Sequence, residues 1–188
     1  MKNKEIIQGC IKGDRRSQSA LYKQYYPLMN SVISRYTTSQ DDKSVLINTG
    51  FLKVLKNLDK YDQSLPISTW IRRVLVNSTI DEFRKQKNKM LNVHLDEVSE
   101  NELYLEYNDA LRSMEEKEVL LLLNILPVTS KMVFNLYAID GYKHKEIADM
   151  LDISSGTSRW HLNFARNKLK ELLSEGIVKG TMLLGVAK

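Results

Sequence analysis

The 188-residue chain has one cysteine, three prolines and eight glycines, and it contains no long apolar run. A single thiol, Cys10, cannot form an internal disulfide, so we expect a reducing compartment and a buried apolar role for this side chain. The N-terminus lacks the apolar stretch of a signal peptide, and no segment reaches the roughly 20 apolar residues that span a bilayer. We therefore expect a soluble cytoplasmic protein without membrane insertion.

The sequence also lacks the residue sets on which most enzymes and metal sites depend. It has no Walker phosphate loop, no Cys and His pairs at zinc-ligand spacing and no convincing nucleophile with its base. The three histidines, His94, His144 and His161, are too scattered to suggest a metal site. We expect no catalysis, no metal and no cofactor, and hence a binding function.

The net charge of +5 conceals three blocks of different sign. Residues 1–87 carry a net charge of +8, residues 88–118 carry −6, and residues 119–188 carry +3. Two basic blocks around an acidic one suggest two anion-binding domains joined by a connector that resembles a polyanion. Charge alone favours the simpler alternative, an ordinary solvated linker.

Apolar residues recur at spacings of three and four, and helix breakers are few, so the pattern predicts an all-α protein. We predict two small helical domains at 1–88 and 114–174. An acidic linker is predicted at 89–113, and a tail of unknown role at 175–188. The second domain is predicted to be a four-helix unit of the helix-turn-helix class, similar to a winged helix.

Start and stop signals divide the first domain into four helices. The first is predicted at residues 4–11, and Asp14 is suited to cap the second. Pro27 should kink or break the second helix. The third should begin near Asp41, where acidic side chains suit a helix N-terminus, and Ser68 is the candidate cap of the fourth.

The fourth helix, at residues 70–87, has two apolar arcs and one polar strip when its residues are projected at about 100 degrees each. We call this polar strip the α4 strip, and its members are Trp70, Arg73, Asn77, Asp81 and Arg84. Cations can neutralise phosphates while a ring stacks on an unpaired base, so the strip indicates a platform for single-stranded nucleic acid. The alternative is that Trp70 folds back into the core.

Residues 142–172 have the pattern of a helix, a tight turn and a second helix. Asp152 stands where the turn requires a left-handed backbone, and Ser154 or Ser155 can cap the second helix. The predicted core face of that helix consists of Leu162, Ala165, Leu169 and Leu172. The opposite face is polar, basic and aromatic, as in a recognition helix that enters the major groove. A helical hairpin whose aromatic face packs on a neighbour is the alternative.

Four segments, in chain order, carry a resemblance to a known family. They read LYKQYYPLMNSVISRY, FLKVLKNLDKYD, STWIRRVLVNSTIDEFRK and ILPVTSKMVFNLYAIDGYKHKEIADMLDISSGTSRWHLNFARNKLKELL. Together they resemble a bacterial RNA polymerase sigma factor of the extracytoplasmic-function (ECF) group, within the sigma-70 family, over about residues 5 to 174. The phrases KNLDKYD and GTSRWHL are most similar to members from the Bacteroidetes.

The resemblance implies that the first domain binds core RNA polymerase and melts the minus-10 promoter element. The residues that it matches to polymerase binding are Leu46, Asn48, Thr49, Phe51, Lys53 and Val54. The residues that it matches to single-stranded minus-10 DNA are Lys60, Tyr61, Asp62, Ser64, Trp70, Arg73, Asn77 and Arg84. The loop at 59–68 would capture a flipped base.

The resemblance implies that the second domain reads double-stranded minus-35 DNA through the helix at about 156–173. The matched residues are Lys145, Ser155, Thr157, Ser158, Arg159, Trp160, Asn163, Phe164 and Arg166. The acidic linker would pass through the polymerase toward the RNA exit channel. An anti-sigma factor or another DNA-targeting recruiter is a further partner that the resemblance allows.

The chain departs from the family pattern in both domains. Asn48, Thr49 and Gly50 stand where many members have a Gln-acidic pair, and Gly50 lowers helix propensity by about 1 kcal/mol relative to Ala. Ser158 replaces a β-branched core residue. Two other functional classes stay open at this point: a free-standing helix-turn-helix regulator that binds operator DNA, and an interaction protein without DNA binding.

Overall fold

The computed structural model describes residues 3–89 and 116–174, which fall in two compact units. Every regular element within these two ranges is helical and none is a strand, so the all-α prediction is confirmed. Within the same ranges, no helix has the length and apolar character to cross a bilayer. The tail at 175–188 and all of the predicted acidic linker except Lys89 lie outside the described residues.

The first unit contains four α-helices and one short 3-10 turn in its described residues. They are α1 (Asn3–Ile11), α2 (Arg15–Ser34), α3 (Gln40–Lys56), the turn Leu58–Lys60, and α4 (Ile67–Lys89). Apolar residues of α2, α3 and α4 form the core, and Met29, Ile33, Val54, Ile71 and Leu75 are all fully buried. Cys10 on α1 is buried as predicted, and burial, aided by the charge of Asp14, raises the pKa of its thiol to about 11.

The helix starts of the first unit confirm one predicted cap and contradict another. Asp14 caps α2: its carboxylate accepts the backbone N–H of Ser17 at 2.9 Å and the Ser17 hydroxyl at 2.6 Å. The prediction for Ser68 was wrong, because α4 already begins at Ile67 and the N–H groups of its first turn donate to the Pro66 carbonyl. α2 continues through Pro27, so the helix is not broken there, and the other predicted outcome, a kink, stays a prediction.

Two glycines allow helices of the first unit to approach closely. A Cβ atom at Gly50 would lie 2.4 Å from Cδ2 of Leu75, so Gly50 brings α3 onto α4 in addition to weakening its own helix. A Cβ atom at Gly9 would lie 2.1 Å from Oγ and 2.7 Å from Cβ of Ser17, where α1 crosses α2. A Cβ atom at either position would force the neighbouring side chain to shift.

The second unit contains four α-helices and a π turn in its described residues. They are α5 (Glu116–Ile125), α6 (Val128–Phe134), the π turn (Asn135–Ile139), α7 (His144–Leu151) and α8 (Ser155–Ser174). The predicted core face of α8 is buried, at exposed fractions between 0 and 6%. Residues 116–174 include no strand, and the four α-helices agree with the predicted four-helix unit.

The turn between α7 and α8 has the predicted geometry. Asp152 adopts φ 54° and ψ 56°, the left-handed region that costs a non-glycine residue about 1–2 kcal/mol. Ser154, and not Ser155, caps α8, because its Oγ accepts the N–H of Thr157 at 2.9 Å. The helix-turn-helix predicted from the sequence is therefore present.

Replacing Gly9 with Ala should lower the free energy of unfolding of the first unit by about 1–3 kcal/mol, because the added methyl group overpacks the contact with buried Ser17. The matched control is Gly156→Ala on α8, where an added Cβ meets nothing closer than 3.5 Å and helix propensity should improve. Urea unfolding followed by circular dichroism measures both. An unchanged or higher stability for Gly9→Ala would show that α1 is not packed as described.

Candidate nucleic-acid interface

The α4 strip lies on the solvent side of its helix. Arg73, Asn77, Asp81 and Arg84 are exposed, whereas Trp70 is partly exposed. The residues on the other sides of α4 bury it firmly in the unit, and they include Ile71, Leu75, Val76 and Ile80, each 2% exposed or less. The strip is therefore carried by a helix that cannot rotate without exposing the core.

Trp70 packs on the loop that precedes α4. Its ring centroid lies 5.5 Å from that of Tyr61, with an angle of 48° between the planes. The Tyr61 hydroxyl in turn donates to the backbone carbonyl of Leu65. Trp70 thus lies beside the loop at 61–66 and stays partly exposed.

The same loop is held by its own polar groups. Asp62 accepts the backbone N–H of Ser64 at 2.9 Å, and hydrogen bonds from Ser64 lower the pKa of the Asp62 carboxyl. An ionised carboxylate repels phosphate but can accept a hydrogen bond from the amino group of a base. Lys60 is exposed, and its Nζ donates to Asn57 Oδ1 at 3.3 Å.

An ion pair links α4 to α3. Lys53 Nζ donates to Asp81 Oδ2 at 2.8 Å, and the two side chains are 40% and 52% exposed. An exposed pair of this kind adds little to stability. Its main effect is on charge, because it neutralises Asp81, the acidic member of the α4 strip. The net charge of the strip is then positive, from Arg73 and Arg84.

One face of α3 is exposed along its length and includes large apolar side chains. We call this face the α3 stripe, and its members are Val45, Asn48, Thr49, Leu52 and Lys56. Val45 is 61% exposed and Leu52 is 57% exposed. Neither residue was among the predicted polymerase contacts. A helical projection of α3, like the one applied to α4, would have placed both side chains on the solvent side of the helix.

Two residues predicted to bind polymerase lie on the opposite side of α3. Phe51 is 7% exposed and meets the ring of Tyr22 edge-on at 5.0 Å, and Val54 is fully buried. Their prediction as surface contacts was wrong, because both side chains belong to the core. Leu46 is partly exposed, and Asn48 accepts a hydrogen bond from the Tyr22 hydroxyl at 3.1 Å.

The outward side of α8 combines basic, amide and aromatic groups. We call this surface the α8 face, and it consists of Arg159, Trp160, Asn163 and Phe164. The rings of Trp160 and Phe164 stack at 5.4 Å with 23° between their planes, and Phe164 is 36% exposed. Lys145 on α7 is exposed, and Ser155 at the start of α8 is partly exposed.

Three other predicted minus-35 residues are engaged within the unit. Ser158 is fully buried, with its Oγ 2.9 Å from His144 Nδ1, so its prediction as a DNA contact was wrong. The Thr157 hydroxyl lies 2.8 Å from Ser154 Oγ at the start of the helix. Arg166 places its guanidinium carbon 5.7 Å from the ring centroid of Tyr137.

Metal ligands are not grouped in the part of the chain that the structure describes. Among residues 3–89 and 116–174, no three His, Cys, Asp or Glu side chains are arranged to hold a metal ion. The exposed side chains of the α4 strip and the α8 face include cations, amides and aromatic rings, which can bind phosphates, base edges and base faces respectively.

Comparisons with known proteins match both units. The family model for Sigma-70 region 2 matches residues 21–89, and the model for Sigma-70 region 4 matches residues 116–169. The chain is 27% identical over 184 residues to the ECF RNA polymerase sigma-E factor of Escherichia coli strain K12, covering 89% of this chain and 94% of that one. It is 23% identical over 186 residues to the ECF sigma-E factor of Haemophilus influenzae, covering 89% and 95%.

A solved structure is also similar: the sigma factor RpoE in complex with the anti-sigma factor NepR from Bartonella quintana. It is 19% identical, with a TM-score of 0.45, and the match covers 83% of this chain and 96% of that chain.

The two family models, in their order along the sequence, together cover more than half of the chain. The chain therefore belongs to the sigma-70 family and is an RNA polymerase sigma factor of the ECF group.

Proposed function

We propose that this sigma factor uses three surfaces at three places on the transcription complex. The α3 stripe binds core RNA polymerase, the α4 strip with the loop at 61–66 binds the melted minus-10 element, and the α8 face reads the minus-35 element. The observation that carries the proposal is the α4 strip, where a tryptophan heads an exposed row containing two arginines and an amide. The other sides of that helix are buried.

Binding energy alone can account for melting by such a surface. Unstacking costs about 1.4 kcal/mol for each base-pair step, and stacking a released base on an aromatic ring returns about 1–3 kcal/mol. Tyr61 and Trp70 offer adjacent rings for this purpose, and the positive charge of Arg73 and Arg84 suits the phosphates beside them. Catalysis by this chain is not required.

The remaining assignments are also proposals. The domains extend over 1–88 and 114–174, and the acidic linker at 89–113 follows the RNA exit channel, a path that suits its negative charge. We place the protein in the cytoplasm, together with its polymerase and promoters. On the phrases KNLDKYD and GTSRWHL, we place its source among the Bacteroidetes or their relatives.

An anti-sigma factor is a further proposed partner. The exposed apolar side chains of the α3 stripe, Val45 and Leu52, would be covered by polymerase in the complex, and a protein that covered them first would block assembly. A protein that recruits this sigma factor to DNA is the alternative to an anti-sigma factor as an additional partner. Affinity capture from the source organism with and without added core polymerase distinguishes a competitor of polymerase from a companion of it.

The proposed function is tested by reconstitution with core polymerase. The holoenzyme should initiate transcription on templates selected from a library with randomised promoter elements, and the protein alone should scarcely discriminate among the same DNAs. Tight, sequence-specific operator binding without polymerase would instead identify a free-standing regulator.

Trp70→Ala should slow open-complex formation by about tenfold and leave the affinity for core polymerase unchanged, because a lost stacking platform costs about 1–3 kcal/mol for each base. Trp70→Phe, which keeps a ring, should recover part of the rate. Fluorescence detection of melting on a promoter template measures the rate, and a core-binding titration measures the affinity. Equal losses in both measurements would assign Trp70 a structural role only.

Leu52→Ser should weaken binding to core polymerase by about tenfold or more, because a Leu side chain that becomes buried contributes about 1.5–3 kcal/mol. The matched control is Leu65→Ser, since Leu65 is similarly exposed at 55% but lies on the loop before α4. A core-binding titration provides the comparison. If the two variants bind core equally well, polymerase does not cover the α3 stripe.

Arg159→Ala and Asn163→Ala should each weaken discrimination at the minus-35 element by about 1–3 kcal/mol, the value of a contact that reads a base. Lys168→Ala is the control on the same helix: it removes an equal charge from a side chain that donates to Glu171 at 2.9 Å. Transcription from matched and mismatched minus-35 templates gives the discrimination. Unchanged promoter preference in both variants would remove these residues from the readout.

A further inference from the structure

Four side chains form a cluster that joins the π turn, α7 and α8. We call it the His144 cluster, and its members are Tyr137, His144, Ser158 and Arg166. His144 Nδ1 lies 2.9 Å from Ser158 Oγ, and the His144 ring stacks on the Tyr137 ring at 4.5 Å with 22° between the planes. The Arg166 guanidinium carbon lies 5.7 Å from the centroid of the same Tyr137 ring.

The surroundings of the His144 imidazole favour its neutral form. Its Nε2 is buried and has no hydrogen-bond partner among the described residues. With Nδ1 occupied by Ser158, a second proton would place a charged N–H at Nε2 without an acceptor.

Burial and two nearby arginines also favour the neutral ring. Burial, followed by the positive charges of Arg159 and Arg166 on α8, holds the pKa of His144 below its ordinary value. Tyr137 is the titratable group that faces the ring from the π turn. On α7 itself the neighbours are Lys145, which is cationic, and Glu146, which accepts the N–H of Lys143 at 2.8 Å.

A buried imidazole nitrogen without a partner is costly, and a phenyl ring would fill the same space without that cost. The histidine combines two contacts: a hydrogen bond to Ser158 on α8 and ring stacking on Tyr137. Each link ends beside an arginine: Ser158 directly precedes Arg159, and the Tyr137 ring lies next to Arg166. The cluster therefore connects the first helix of the helix-turn-helix to the Arg166 side chain, and to Arg159 only through the backbone of α8.

We propose that His144 is a positioning residue for minus-35 recognition, which sets the pose of α8 through Ser158 and the pose of Arg166 through Tyr137. This inference rests on the proposed role of the α8 face in reading the minus-35 element, and it adds Arg166, a partly exposed residue that the resemblance also matches to minus-35 DNA. His144 itself need not touch DNA. It acts by fixing the orientation of the Arg159 and Arg166 side chains relative to the DNA.

The test uses holoenzyme and a template library in which only the minus-35 segment is randomised. The readout is the ratio of transcription from the segment that the wild type selects to transcription from the unselected library. His144→Phe keeps a stacking ring and loses the hydrogen bond, whereas His144→Asn keeps a polar nitrogen and loses the stacking ring. Each should reduce the ratio by about tenfold, as expected for one lost base-reading contact.

Two further variants separate positioning from a general loss of stability. Ser130→Ala removes a similar contact, the 2.9 Å hydrogen bond between Ser130 Oγ and His161 Nδ1 in the core of the same unit, and should leave the ratio unchanged. Adding His144→Phe to a chain that already carries Arg159→Ala and Arg166→Ala should change the ratio little. Positioning acts through those arginines, so their removal should remove the effect of His144.

The pH dependence of unfolding provides an independent readout on the protein without polymerase. Because folding lowers the pKa of His144 below the roughly 6.5 of an unfolded histidine, its contribution is fully present above that pH and is lost as the pH falls below it. Between about pH 7.5 and 5.5, the urea midpoint of the wild type should therefore fall further than that of His144→Phe.

The possible failures are distinguishable. A wild-type holoenzyme with no minus-35 preference would overturn the proposed function of the α8 face, and this inference with it. A wild type that selects a segment, together with His144→Phe and His144→Asn variants that select it equally well, would overturn the positioning role alone. The same conclusion would follow if Ser130→Ala reduced the ratio as much as the His144 variants do.

Discussion

The close packing of α3 against α4 is the constraint on which the first unit depends. Gly50 has no side chain at the point where Leu75 fills the space between the two helices, so their backbones can approach and their inner faces share one core. With the inner faces fixed in this way, the outer faces are fixed as well. The α3 stripe and the α4 strip are the outward sides of this packed pair, and their residue content follows from helical periodicity.

This dependence explains which surface features could be predicted from the sequence. On α4, apolar residues on two sides left only one direction for Arg73, Asn77 and Arg84, and the structure exposes all three. The left-handed Asp152 was predictable for a similar reason, since a tight helix-turn-helix needs one such residue after its first helix. At both places, the local sequence pattern and the packing of the core favour the same structure.

The incorrect residue predictions have a different origin. Phe51 and Val54 were assigned to the polymerase surface by their resemblance to a family motif, whereas helical projection places them with the core. The contact between Tyr61 and Trp70 could not be predicted from spacing, because it depends on the path of an irregular loop. Ser158 lies on the same helical face as Leu162 and Ala165, so its burial could be predicted from periodicity. Its pairing with His144, fourteen residues earlier in the chain, could not.

The bridge between Lys53 and Asp81 has a consequence for genetic experiments on this protein. It joins the helix proposed to hold polymerase to the helix proposed to hold melted DNA, through an exposed pair at 2.8 Å. Replacing either member leaves its partner's charge uncompensated at the surface, so one substitution alters the electrostatic potential of both helices. Alleles at these two positions should therefore show mixed phenotypes, and a screen for separation-of-function alleles should recover few mutations there.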